Sequence, residues 1–424
     1  MKTENFWAEQ FPYPNNIAVC AQLPERVDVA IVGGGFTGMN AALVLAQAGA
    51  RVAVLEQNTF GWGASSRNGG MLTPGLKAPL SWIRKTHGLE LARHFWGWAL
   101  ESIDHVERVV TDNNIACDWR RSGHLALATK PAHFERFRSN LAMLDRDFGY
   151  RNGRLLAPSE IASEIGSAAF HGAVVDDVSG SVHPAKYAFG LAAAVARSGA
   201  LLCEDTRVLN LQAETGGHAL RTNRGTLHAR EVLLATNGYT TNLNFRARSG
   251  IFPVGSYIIV TEPLPPALQA ELSPRGRMMY DSANFLIYFR LTPDGRMLFG
   301  GRNNLSTTLD LVDSKRRLQE RMVAVYPQLR DTPVTHSWTG KLGITFDLMP
   351  HIGRVNGVHY AYGYCGHGVS ISSYLGREVG ELLAGKRAAS AFLSIPHPRN
   401  PVAFFERLFL PFVAQWYRLQ DWLA

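Results

Sequence analysis

Cysteine is scarce in this chain. Four occur in 424 residues, Cys20, Cys117, Cys203 and Cys365, and no two form a CxxC pair. That excludes a disulfide framework and a cysteine-rich metal site, and it fits reduced thiols in a reducing compartment. No metal is expected. No apolar run approaches the ~18 residues of a membrane helix, so no integral membrane segment is expected. The opening Met1-Lys2-Thr3-Glu4-Asn5-Phe6-Trp7 lacks the apolar core of a signal peptide, which makes a cytoplasmic location the expectation. Blocks of like charge are also missing. The net charge is +8 and the pI near 9.4, but the excess is arginine scattered along the sequence. Nucleic-acid binding is therefore not expected; the scattered excess reads as an ordinary basic surface, with attraction of anionic substrates or cofactors a lesser alternative. There is no internal repeat and no low-complexity segment.

With 46% hydrophobic and 18% charged residues, the composition is ordinary and globular, and the length suits two or three domains. The most informative stretch is Val27-Asp28-Val29-Ala30-Ile31-Val32-Gly33-Gly34-Gly35-Phe36-Thr37-Gly38, completed by Glu56. It reads as a buried strand, a glycine turn, a helix (about 38–48), a second strand (51–55) and an acid. That order binds the ADP half of a dinucleotide: Gly33 for the turn, Gly35 for backbone approach to the pyrophosphate, Gly38 for close helix–strand packing. The phosphates face a helix N-terminus, and Glu56 is placed to accept from a ribose. The bland reading is a plain strand–turn–helix corner.

Further along, residues 61–71 hold four glycines among small polar residues, a poor core and a good ligand-wrapping loop. Helical periodicity covers 88–115, 131–148, 184–197, 310–326 and 373–383. Alternation marks strands at 119–129, 201–204, 206–211, 218–222, 231–235, 256–261, 285–291 and 296–299, and Thr292-Pro293-Asp294-Gly295 reads as a hairpin turn. The weave suggests an N-terminal arm (1–26), a discontinuous nucleotide-binding domain (27–87, 150–245, 331–390), a discontinuous substrate domain (88–149, 246–330) and a C-terminal helical segment (391–424). The fold class is α/β, or mixed α+β, with a Rossmann-like domain interleaved with a β-sheet substrate domain.

Several motifs then converge: Gly33 to Gly38; Gly63-Ala64-Ser65-Ser66-Arg67-Asn68-Gly69-Gly70; His183-Pro184; Tyr288-Phe289-Arg290-Leu291-Thr292; Trp338-Thr339-Gly340 with Met349-Pro350 and Gly353; Gly363 to Val369; and Pro396-His397-Pro398. Together they resemble the D-amino-acid oxidase and glycine oxidase group of FAD-dependent amine and amino-acid oxidoreductases, and within it the gamma-glutamylputrescine oxidoreductase branch. The first motif is shared by many flavoproteins; Ser-Arg-Asn-Gly-Gly and Gly-His-Gly-Val are far more selective. The resemblance implies a nucleotide-binding domain of the glutathione-reductase and D-amino-acid oxidase type holding FAD rather than a nicotinamide. It implies cofactor contacts from Gly33, Gly35, Phe36, Thr37 and Gly38, from Glu56 and Gln57, and from the loop Ala64, Ser65, Arg67, Asn68, Gly69, Gly70 and Met71 along the isoalloxazine. Val208 matches the position whose backbone reads adenine, and Thr236, Asn237, Gly238 and Gly340 complete the cradle. In relatives the turn Gly366-His367-Gly368-Val369-Ser370 starts a helix whose N-terminus faces the flavin pyrimidine, where a positive dipole stabilises the charge of reduction.

Four residues are candidates for the chemistry. His367, between two glycines, is expected beside the flavin; the alternative is plain loop geometry. Tyr288 and Arg290 share one face of a strand, where an aromatic wall and a cation could receive a carboxylate; the alternative is a structural ion pair beside a core tyrosine. Trp338 is an active-site wall or a core residue. Two departures matter. Sarcosine-oxidase-like relatives carry a lysine just after the Gly-His-Gly motif, where this chain has Ser370, and attach FAD through a cysteine where this chain has Gly340. A longer amine and non-covalent FAD are the expectation, with Cys365 in a different loop. The implied reaction is hydride transfer from the carbon beside an amine nitrogen to flavin N5. The imine is then hydrolysed to an aldehyde and an amine or ammonia, and the flavin is reoxidised by O2, giving H2O2, or by another acceptor. An oxidase or dehydrogenase of D-amino acids, glycine or N-alkyl amino acids is the alternative, and a non-catalytic or RNA-modifying flavoprotein a distant one. A small-molecule amine is the expected partner, the assembly a monomer or homodimer. The aromatic C-terminal segment is expected to pack on the body of the protein rather than on a membrane.

Overall fold

The structure, a computed structural model, describes residues 1–423. The strand Arg26–Val32 is buried from Val29 onward, as a parallel strand covered on both faces should be. It pairs in parallel with Val52–Leu55 on one side and Gly225–Leu234 on the other. Leu201–Cys203 and Val358–Tyr362 extend the parallel sheet outward, and antiparallel His351–Val355 closes one edge. The antiparallel pair Val208–Glu214 and Gly217–Thr222 joins Gly225–Leu234, making eight strands.

The helix after the glycine turn, Phe36–Gln47, is buried on nearly every side, because it lies between this sheet and the helix Gly368–Leu383. The two helices meet through small residues. A Cβ on Gly376 would stand 2.4 Å from the Thr37 carbonyl oxygen. Leu89–Asp112 packs on Gly368–Leu383 as well, through a stripe of Phe95, Ala99, Ile103, Val106 and Val110 at helical spacing.

A second eight-stranded sheet runs Val334–Ile344, Phe252–Pro263, Arg296–Gly301, Ile287–Leu291, Met278–Asp281, His124–Leu127, Ala173–Asp176, Gly153–Leu156. Every pairing in it is antiparallel except Met278–Asp281 with His124–Leu127. Leu311–Val325 covers one face, burying Leu318 and Met322 against Phe289 and Phe299. The mixed α/β, two-sheet architecture is the one the resemblance implies.

The segment boundaries differ from those read along the sequence. Val334–Ile344 pairs with Phe252–Pro263 along its length, so it belongs to the second sheet, as do Gly153–Leu156 and Ala173–Asp176. Conversely, Leu89–Asp112 packs with the nucleotide-binding layer. Residues 1–26 are more than an arm. Phe6–Gln10 is a short helix capped by Asn5, with Phe6 and Trp7 in the core. The prolines at 12, 14 and 24 interrupt the chain beyond this helix and leave the helix itself intact.

Candidate functional site

Between the two sheets lies a cavity of about 600 Å³. At one end stands the glycine turn. Gly33 has φ +110°, and its N–H donates to the Leu55 carbonyl at 2.9 Å. A Cβ there would reach 2.9 Å from the Ala235 carbonyl oxygen, so conformation and space both require glycine. Gly35 caps the helix Phe36–Gln47, and a Cβ on it would meet only the Ser65 hydroxyl, at 3.0 Å. The helix N-terminus thus opens toward the cavity, an anion-favouring arrangement. Glu56 accepts from the Gly34 N–H at 2.8 Å and the Asn58 N–H at 3.0 Å. Burial raises its pKa, opposed by these backbone donors, and its remaining lone pairs stay available. Gln57, Thr206, Arg207 and Val208 line the same end.

The wrapping loop is held by its own side chains. Asn68 donates to the Ala64 and Ser65 carbonyls at 3.0 and 2.8 Å and accepts from the Gly70 N–H at 2.7 Å. Ser65 Oγ accepts from the Phe36 N–H at 3.0 Å, tying the loop to the glycine turn. Two tryptophans fasten it from behind: Trp7 donates to the Asn68 carbonyl at 2.9 Å and Trp338 to the Arg67 carbonyl at 3.0 Å. Arg67 lies over the Trp62 ring.

At the far end, His367 precedes the helix Gly368–Leu383, and Tyr288, Ser256 and Ile258 form a wall. The Tyr288 hydroxyl lies 3.2 Å from Ser256 Oγ, and burial pushes its pKa up to about 12. His367 is pushed down to about 4 by burial and by the nearby Lys77 and Arg302, so it is neutral at ordinary pH. Its Nδ1 has no hydrogen-bond partner. Lys77 and Arg302 are the cations of this end. Burial, then Arg302, lowers Lys77 to about 8, and burial lowers Arg302. No carboxylate acts on either, and among the described residues neither is in an ion pair. Asp281 lines the cavity nearby; burial raises its pKa to about 6 against the pull of Arg321.

The structure thus brings together on one cavity most of the residues singled out above: Gly33, Gly35, Phe36, Thr37, Glu56, Gln57, Ala64, Ser65, Arg67, Asn68, Gly69, Met71, Val208, Thr236, Asn237, Tyr288, Gly340, Gly366, His367, Gly368 and Val369. Six lie behind it. Gly38 supports the turn; a Cβ there would stand 2.1 Å from the Gly33 carbonyl oxygen. Gly70 and Gly238 are packed against backbone, at Val182 and Leu342, and Ser370 is buried in its helix. Trp338 is a core residue with its N–H spent on the loop. Arg290 is not at the cavity: it donates to the Val182 carbonyl at 2.7 Å and lies over the Trp7 ring. The reason is local. The wrapping loop crosses the strand face that carries Tyr288 and Arg290, with Gly69 against Tyr288 and Gly70 against Arg290, and only the tyrosine clears its edge. The sequence reading missed Lys77, Arg302 and Asp281. The available signals were a lone lysine six residues past Met71 and an arginine ending the apolar strand Met297-Leu298-Phe299-Gly300-Gly301.

A strand–glycine turn–helix with an acid at the next strand end, opening into a chamber walled by a second sheet, defines a dinucleotide-dependent oxidoreductase. The chain belongs to the FAD dependent oxidoreductase (DAO) family, whose model matches residues 28–382. It is 33% identical over 366 residues to a probable oxidoreductase, OrdL, of Haemophilus influenzae, covering 85% of this chain and 84% of that one. It is 32% identical over 403 residues to the gamma-glutamylputrescine oxidoreductase of Escherichia coli, covering 94% and 93%. Among solved structures, glycine oxidase from Geobacillus kaustophilus superposes with a TM-score of 0.75 at 25% identity, over 89% of this chain and all of that one. The protein is therefore an FAD-dependent oxidoreductase. Its residues fit the cofactor: a cradle at Gly35 that a side chain would fill, an acid at the strand end, and a continuous lining from Val208 to His367 whose far end carries the unpartnered imidazole nitrogen. No helix is long and apolar enough to cross a membrane among the described residues.

Proposed function

We propose that the protein oxidises the carbon beside nitrogen in an amine that also carries a carboxylate, with gamma-glutamylputrescine as the model substrate. The observation that carries this reading is the pair of cations, Lys77 and Arg302, lining the chamber without a counter-ion. Enclosed charges are ordinarily paired. Two unpaired ones of the same sign call for an anion from outside, and an arginine grips a carboxylate through two parallel hydrogen bonds. Asp281, the one acid lining this end, is ionised above about 6 and suits the cationic group of the same molecule. The relative named for gamma-glutamylputrescine supports this pairing of charges.

The residues orient and desolvate. Tyr288 and Ile258 give the substrate an apolar wall. His367, neutral because its pKa is held near 4, adds no positive charge beside the reacting amine. Bound FAD supplies the acceptor for the hydride. No acid–base pair is required of the protein when the amine binds unprotonated. We also infer that FAD is held without a covalent bond. Cys365, the one cysteine lining the cavity, is buried with its thiol turned to the Gly363 carbonyl at 3.2 Å and its pKa raised by burial. Acid precipitation is expected to leave a white pellet and a yellow supernatant; colour retained in washed pellet would show a covalent link.

A second reading, oxidation of an α-amino acid, is favoured by the same cations acting on His367, since that places an anion site near the Gly-His-Gly turn. Anaerobic bleaching of the flavin separates the two. Gamma-glutamylated diamines are expected to bleach it and free diamines to do so poorly; bleaching by simple amino acids alone selects the second reading.

The cation pair also sets a pH dependence. Lys77 has a lowered pKa, so it is charged below about 8 and loses its charge as pH rises through that value. Competitive inhibition by a carboxylate that lacks an amine is therefore expected to strengthen below about pH 6, where Asp281 loses its charge, and to weaken as pH rises above about 8, where Lys77 loses its own. In Lys77→Met this upper limb disappears. A wild-type inhibition constant that is constant through that range would refute the assignment of Lys77.

A further inference from the structure

The C-terminal helix Glu406–Leu423 has two apolar faces, and the fold uses one. Leu410 and Ala414 are buried, and Phe409, Val413 and Tyr417 pack with them against Phe252, Phe285 and Ile344. The opposite face carries Leu408, Phe412, Trp416, Leu419 and Trp422, spaced by three or four residues so that they form one stripe. They stand in solvent: Phe412 is 78% exposed, Trp422 77% and Leu408 69%. Phe405, before the helix, extends the row. Scattered exposed apolar residues need no explanation, whereas a continuous row of large ones does.

The charges around the stripe are one-sided. Both acids of the helix are turned to the body of the protein: Glu406 pairs with Arg248 at 3.3 Å, and Asp421 accepts from the Asn284 and Phe285 N–H groups at 2.8 and 3.1 Å. Exposed Arg407 lies along one edge of the stripe; Arg418, three turns on along the same edge, donates to the Asn303 carbonyl at 3.0 Å and lies over the Phe285 ring. An apolar strip rich in Trp and Phe, edged by arginine and free of acids, is the pattern of a helix lying in the headgroup region of a bilayer. Arginines at that depth meet anionic headgroups. A second copy fits poorly, because this face offers no acid to meet the arginine edge of its partner.

We propose that this helix docks the protein on a membrane surface carrying anionic lipid. The dock adjoins the chamber: Asp421, at the end of the helix, holds Asn284, which lines the cavity. Docking therefore sets the 281–286 side of the chamber one helix diameter, ~10 Å, from the lipid, where an apolar electron acceptor or an amphiphilic amine is concentrated.

The test is co-sedimentation of the full-length, FAD-loaded protein with vesicles of phosphatidylcholine alone and of phosphatidylcholine with phosphatidylglycerol. The bound fraction is expected to rise with anionic lipid and to fall with salt, and Trp emission to shift to the blue on binding. Phe412→Glu with Trp416→Glu is expected to weaken binding at least about tenfold, with the flavin spectrum and the unfolding midpoint unchanged, since both side chains are exposed. Because those two readouts are independent of lipid, a misfolded variant is recognised and replaced by Leu408→Gln with Leu419→Gln. Three results overturn the proposal: no sedimentation with either vesicle, binding indifferent to anionic lipid, or a wild-type dimer in light scattering that the paired glutamates turn into a monomer.

Discussion

Gly35→Val is expected to purify folded and colourless. The space in front of Gly35 is the cradle of the cofactor: apart from the Ser65 hydroxyl at 3.0 Å, nothing stands within 4 Å of a Cβ built there. A Cβ there meets no backbone and needs only the Ser65 hydroxyl to yield by a few tenths of an ångström, while a side chain fills the room that backbone N–H groups need to meet a pyrophosphate. The loss of close phosphate contact is expected to weaken FAD binding by about a thousandfold or more. Gly38→Val makes a useful contrast. Its Cβ would lie 2.1 Å from the Gly33 carbonyl oxygen, so it separates helix from turn and should lower the unfolding midpoint as well. Gly97→Ala, where nothing lies within 4 Å, is the neutral control. The check is the ratio of flavin to protein absorbance after dialysis, read beside circular dichroism. A yellow, folded Gly35→Val protein would refute the placement of the cofactor.

The second large effect is expected at Arg302. Arg302→Met keeps much of the stem and removes the guanidinium. A charge-assisted contact to a carboxylate contributes about 2–3 kcal/mol, which corresponds to roughly a 100-fold rise in KM. The same variant acting on a substrate whose carboxylate is masked as an amide is expected to change little, because no anion is left to hold. Steady-state kinetics on the two substrates measures this difference directly. Equal losses on both would mean that Arg302 shapes the chamber rather than reads the carboxylate. Arg290→Met, by contrast, is expected to leave the carboxylate preference intact, since its guanidinium is committed to the Val182 carbonyl and the Trp7 ring.

The contrast between those two arginines shows where sequence reading reaches its limit. Period-two alternation placed Tyr288 and Arg290 on one strand face, and the structure keeps them there. What alternation does not carry is which part of that face another loop covers. Gly69 and Gly70 lie over it, a contact across more than two hundred residues. The nucleotide end was legible for the opposite reason. Its strand, glycine turn, helix and Glu56 are consecutive, and each is forced by local requirements: an apolar strand, a positive φ, a helix start and a strand end. Residues 331–390 read as one piece with the nucleotide-binding domain, whereas the strand Val334–Ile344 inside them pairs with Phe252–Pro263, a partner found only through long-range pairing. Trp7 was hidden in a proline-interrupted segment, though it fastens the wrapping loop through Asn68. Lys77 and Arg302 carry no motif, and their meaning comes from enclosure without a partner, which only three-dimensional placement reveals.

The central claim is that the chamber beside bound FAD receives an amine that is also a carboxylate. Anaerobic titration of the yellow protein with gamma-glutamylputrescine, followed in the visible flavin band, tests it most directly. The account predicts stoichiometric bleaching by this compound and far weaker bleaching by putrescine alone. A flavin that stays yellow with it and with every other carboxylated amine tried, or that bleaches equally with free putrescine, would contradict the account.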